Sequence, residues 1–78
     1  MGLVGNELSD LSALSSLTNL ESINLRHNEI ADLDDLSPLK PLTKLKILSL
    51  GQNYIAKHVS YDEIKEYLSG APELKVQP

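Results

Sequence analysis

The sequence contains no cysteine, tryptophan or phenylalanine, and its only aromatics are three tyrosines in 78 residues. Without thiols there is no disulfide staple, no cysteine-ligated zinc or iron–sulfur centre and no thiol nucleophile. The same absence fits a reducing compartment, and the expected location is cytoplasmic. Apolar runs never exceed three residues, so no segment has the length of a membrane span or a signal-peptide core. Basic residues are outnumbered, 7 against 11, for a net charge of −4, whereas a duplex-binding stripe needs a basic surplus. Gly2 opens a myristoylation-like start, but Asn6 stands where that signal needs Ser or Thr. Glycine-rich phosphate loops, GxSxG and HExxH are all missing. His27 and His58, the only imidazoles, lack the further ligand a metal site needs. The expectation is a chain without catalytic residues, cofactor or metal.

What is abundant is leucine, at sixteen of the 78 residues. Leu20, Ile23, Leu25, Asn28 and Ile30 recur as Leu45, Leu48, Leu50, Asn53 and Ile55, a constant offset of 25. Shifted by 22 residues instead, Leu3, Asn6, Leu8, Leu11 and Leu14 match Leu25, Asn28, Ile30, Leu33 and Leu36. Both complete frames read LxxLxLxxNxI. Alternation at the centre sends Ile23 and Leu25, or Leu48 and Leu50, to one face of a short strand and their neighbours to the other. Asn28 and Asn53 fall where the chain leaves the strand, and an inward amide there can bond backbone groups that the turn leaves unpaired. Leu33, Leu36, Leu39 and Leu42 then recur every three residues, which suits tight turns or 3-10 segments better than an α-helix. The middle unit is three residues too long, and the sequence predicts a bulging turn at Ser37-Pro38-Leu39-Lys40-Pro41.

A different pattern closes the chain. Ser60 and Glu63 form a capping box, Val59 and Ile64 are spaced as a hydrophobic staple, and Tyr61, Ile64, Tyr67 and Leu68 share one helical face. The expected helix spans 61–69, ended by Gly70 in a left-handed conformation and kept from restarting by Pro72.

These frames resemble the leucine-rich repeat superfamily, in particular its short 22-residue class of phosphatase-regulator-like and internalin-like repeats. The resemblance implies a single α/β solenoid over 1–78. Short parallel strands would form the concave face, with turns and 3-10 segments on the convex face. Repeats would occupy 1–56, the first truncated, and a C-terminal cap 57–78. Ala71 to Val76 is similar to the closing segment of such caps, with Leu74 and Val76 as its plugs. Met1 falls at the position of Ile23, so the first strand is expected to be a stub without an N-terminal cap. That would leave an open edge beside Leu3, Leu8, Leu11 and Leu14, where another copy could stack.

The resemblance further implies a non-catalytic module that binds a protein partner through its concave face. The register puts Gly2, Val4, Ser22, Asn24, Arg26, His27, Ile47, Ser49, Gly51 and Gln52 there. Of these, Ser22, Asn24, Arg26, His27, Ile47, Ser49 and Gln52 are the expected contact residues, Arg26 and His27 foremost for their donors, and Ile47, like Val4, is expected as an exposed β-branched side chain. Alternative roles implied at family level are a regulatory subunit of an enzyme such as a protein phosphatase, and a structural scaffold element. Nucleic acid and membranes are not expected partners. Asp32, Asp34 and Asp35 lack the glycine and distal glutamate of a calcium loop and read as a solvated acidic surface.

Overall fold

A computed structural model describes all residues, 1–78. Three short strands form one parallel sheet: β1 (Ser22–Asn24), β2 (Ile47–Ser49) and β3 (Lys75–Gln77), in the order β1-β2-β3. The β1–β2 register pairs Ser22 with Ile47, Ile23 with Leu48 and Asn24 with Ser49, the offset of 25 seen in the sequence. The offset of 22 is also realised, because Gly2 bridges Asn24 in parallel beside β1. There the Asn24 N–H donates to the Met1 carbonyl at 2.8 Å and the Leu3 N–H to the Asn24 carbonyl at 2.9 Å. The ladder continues past the strands, with the His27 N–H donating to the Gly51 carbonyl at 3.0 Å and the Leu50 N–H to the Gln77 carbonyl at 2.9 Å.

Strand alternation sorts the side chains as the frames require. Ile23, Leu25, Leu48 and Leu50 point inward and are fully buried. Behind them, 3-10 segments at Ser12–Leu14, Leu33–Leu39 and Tyr54–Lys57 form the opposite side of the coils. At three residues per turn, leucines spaced by three lie on one side of such a helix. Leu36, Leu39, Leu42 and Leu45 are accordingly all buried in a single core cluster.

This resolves the three extra residues of the middle unit differently from the bulge expected at Ser37 to Pro41. Leu33–Leu39 is a continuous seven-residue 3-10 helix that includes Pro38, and Leu39 is buried rather than displaced. The insertion is therefore one whole 3-10 turn. Since a whole turn restores the phase, Leu42 and Leu45 re-enter the core where Leu17 and Leu20 sit one coil earlier. The acidic run also has a structural role that the reading of a merely solvated surface missed. The Asp32 carboxylate accepts from the Asp35 N–H at 3.2 Å, while the Asp35 carboxylate accepts from the Ala31 N–H at 2.9 Å and the Asp32 N–H at 3.4 Å. Together these bonds cap the segment's unpaired donors.

The C-terminal helix α1 spans Tyr61–Tyr67. Its capping box is present: Ser60 Oγ accepts from the Glu63 N–H at 3.2 Å and Glu63 Oε1 from the Ser60 N–H at 3.4 Å. Ile64 and Leu68 are buried and Val59 packs against the same core. The helix stops two residues short of the expected 61–69, with Leu68 as C-cap, and Gly70 is not left-handed. Gly70 instead lies against the long middle unit, where a Cβ would come within 3.4 Å of the Lys40 carbonyl. The Lys40 ammonium sits 4.1 Å from the centroid of the Tyr67 ring. The segment after α1 buries Ala71 and Leu74 and becomes β3, paired with β2, while Val76 is half-buried. No helix is long and apolar enough to cross a membrane.

Candidate partner-binding face

The outward positions of the sheet make a shallow floor. Its first row is Ser22, Ile47 and Lys75, and its second is Gly2, Asn24, Ser49 and Gln77. Arg26 follows at the exit from β1, beside Gly51 of the next coil. Ser22, Arg26 and Ile47 are exposed, and Ile47 retains 40% of its surface although it sits mid-row. Asn24 is half-buried because its side chain folds back on its own strand, Oδ1 accepting from the Arg26 N–H at 3.2 Å.

Ser49 departs from expectation. It is only 5% exposed, because β3 runs beside it and Gln77 Nε2 donates to Ser49 Oγ at 3.1 Å. Gln77 and Lys75, which the sequence reading left off the floor, take its place at the surface. Their signal was weak: Leu74-Lys75-Val76 lacks the LxxLxL spacing that marks the other two strands.

His27 and Gln52 are exposed but belong to the rim. Both have left-handed backbone, φ 58° and 61°, and Gly5, the matching residue one coil earlier, has φ 72°. The three form a column of tight turns by which successive coils leave the sheet. Beneath this rim the two asparagines hold the turns. Asn28 Oδ1 accepts from the Asn6 and Leu8 N–H groups at 3.0 and 2.9 Å, and its Nδ2 donates to the carbonyls of Leu3 (2.8 Å) and Leu25 (2.9 Å). Asn53 repeats the arrangement one coil on, accepting from the Ile30 N–H at 3.1 Å and donating to Leu25 at 2.8 Å and Leu50 at 3.0 Å. In each case one amide ties two coils together.

Residues 2–38 match the family model described as leucine rich repeats, in two copies. That part of the chain is thus similar to leucine-rich repeats. The matched residues hold the Gly2 bridge, β1 and most of the long 3-10 segment, and the repeat geometry continues through β2 and Asn53 with the same hydrogen bonds. No curated protein matches the chain. Leucine-rich repeats generally mediate protein–protein contacts and are typically non-catalytic, using the concave side of the stack. In this chain no group of three or more His, Cys, Asp or Glu side chains is placed to hold a metal ion.

The first repeat coil differs from the next in what it leaves uncovered. Leu17 is 38% exposed and Leu20 half-buried, whereas Leu42 and Leu45 at the same positions are 0% and 1% exposed. Met1, Ser16 and Leu17 to Leu20 line an open hollow of about 370 Å³ on this side. The open edge was expected beside Leu3, Leu8, Leu11 and Leu14. Leu11 and Leu14 are instead buried by packing of Ser12–Leu14 on Leu33–Leu39, and Leu3 and Leu8 are half-covered. The exposed apolar side chains at this end are Met1, Val4 and Leu17.

Proposed function

We propose that the chain is a non-catalytic protein-binding module whose contact surface is the concave floor: Ser22, Asn24, Arg26 and Ile47, extended by Lys75 and Gln77, with His27 and Gln52 at the rim. The observation that carries this reading is Ile47. A β-branched side chain left 40% exposed in the middle of a polar row is unfavourable in water and favourable under a partner. The backbone beneath the floor is well supported, since no buried side-chain polar atom lacks a hydrogen-bond partner. Replacing Ile47 with Asp and Arg26 with Ala on the folded chain tests the reading. Retention of a captured protein partner should fall sharply, and undiminished binding by both variants overturns the proposal.

A second reading, assembly of copies through the N-terminal side, is favoured by the exposure of Leu17 and Met1 where the next coil buries its counterparts. Sedimentation at high micromolar concentration should then show self-association that Leu17→Lys abolishes. A monomer throughout excludes it.

A further inference from the structure

The floor carries positively charged side chains and no aspartate or glutamate. Arg26 and Lys75 occupy outward positions, while none of the eleven Asp and Glu residues lies on β1, β2, β3 or the Gly2 bridge. The nearest, Glu21 and Glu73, precede β1 and β3. In a chain of net charge −4 this separation gives the face a sign opposite to that of the whole.

The two cations are mounted differently. The Arg26 backbone is fixed from three directions: its N–H donates to Asn24 Oδ1, and its carbonyl accepts from the Gly5 N–H at 3.0 Å and Asn28 Nδ2 at 3.3 Å. Its exposed guanidinium thus extends from a fixed stretch of backbone, beside a buried Gly51 that Pro78 covers. An exposed guanidinium suits two-point pairing with a carboxylate. Lys75 stands directly beside Ile47 in the first row, so an ammonium and an exposed apolar side chain are neighbours.

Size restricts the occupant. Four strand positions at about 4.8 Å spacing and five residues at about 3.3 Å rise give a floor of roughly 14 by 17 Å. That is on the order of 240 Å², well below the roughly 800 Å² a folded partner contributes to a standard interface. An extended peptide fits it.

We propose that the floor binds an acidic extended peptide segment, one apolar side chain seated on Ile47 and carboxylates paired with Lys75 beside it and Arg26 further along. This rests on the concave-face reading and names the chemistry of its partner. From strand spacing and rise, Ile47 and Arg26 lie about 14 Å apart, so the apolar residue and the farther carboxylate are separated by about four residues of the ligand.

Selection from a displayed library of random short peptides, with the whole chain as bait, tests this. Enriched peptides should be acidic with a single central Leu, Ile or Val, and their binding should weaken as salt is raised. An Arg26→Glu, Lys75→Glu variant should bind them about tenfold more weakly or worse; both positions are exposed, and circular dichroism checks that the variant folds. Enrichment of neutral or basic peptides that depend on Ile47 overturns the acidic preference and leaves the concave surface standing. Failure to enrich any peptide over an Ile47→Asp bait overturns both.

Discussion

Asn28 and Asn53 share one acceptor: the carbonyl of Leu25 receives Nδ2 of Asn28 at 2.9 Å from its own coil and Nδ2 of Asn53 at 2.8 Å from the next. Removing either amide leaves that carbonyl a partner; removing both leaves it buried and bare. Asn53→Ala also strips the Ile30 N–H and the Leu50 carbonyl, at a cost of about 3 kcal/mol, since a buried orphaned group costs roughly 1–3 kcal/mol. Asn28→Ala should cost less, because its partners are partly exposed. The double variant should be destabilised beyond the sum of the two by about 1 kcal/mol. Urea unfolding of the four proteins measures this, and strict additivity would show that the shared carbonyl carries no coupling.

The left-handed column predicts opposite effects at one residue. Gln52→Gly should leave stability unchanged or raise it by up to about 1 kcal/mol, because an L side chain pays roughly that much for left-handed backbone. Gln52→Ile should lower it by about 1–2 kcal/mol, branching at Cβ being least compatible with positive φ. His27 should behave in the same way, and thermal melts read both pairs.

At Gly51 the expected effect is local. A Cβ there would lie 2.9 Å from the Pro78 carbonyl carbon, so Gly51→Ala should push the chain end aside and open the bond from the Leu50 N–H to the Gln77 carbonyl. Amide exchange should accelerate at Leu50, while Leu25, bonded to Ser49 on the far side of β2, stays protected.

The long middle unit predicts a length rule. Deleting Ser37-Pro38-Leu39 removes one 3-10 turn and should leave a folded, weakened protein, short of one buried leucine at about 2–4 kcal/mol. Deleting only Ser37-Pro38 removes less chain but turns Leu42 and Leu45 out of phase, and should be the more damaging change. Near-identical circular dichroism melts for the two would refute the rule.

Asp10 supplies a pH-dependent signal. The backbone N–H of Ser12, which donates to Asp10 Oδ1 at 2.9 Å, and the Ser12 side chain hold its carboxyl below the usual carboxylate range. A lowered folded pKa means the contribution is present above the ordinary value and lost as pH falls through the folded one. The group is fully exposed, so the change is local. The Ser12 amide resonance should titrate with a midpoint below that of a free aspartate and lose that step in Asp10→Asn.

The frames were legible because each rests on a short-range rule. Alternation placed Ile23 and Leu48 inward, the asparagine position announced its turn, and the box at Ser60 and Glu63 needed no tertiary partner. What was missed depends on phase or on distant chain. The inserted turn looked like a bulge because Pro38 is a familiar breaker, yet a leucine spacing of three already described a helix that tolerates it at the cost of one hydrogen bond. Ser49 was placed at the surface because nothing near it in sequence shows that Gln77, 28 residues later, will lie across it. The Gly70 assignment followed a common helix-ending habit, whereas the observed constraint is its approach to Lys40.

The added turn lies behind the sheet, and the strands in front keep their register despite repeat lengths of 22 and 25. Wall thickness and working surface are thus independent variables in this architecture. The rear can be remodelled in whole turns, as it has been where Lys40 reaches Tyr67, without moving a side chain on the floor; a designer could graft new recognition residues onto β1 to β3 while tuning durability entirely from the back.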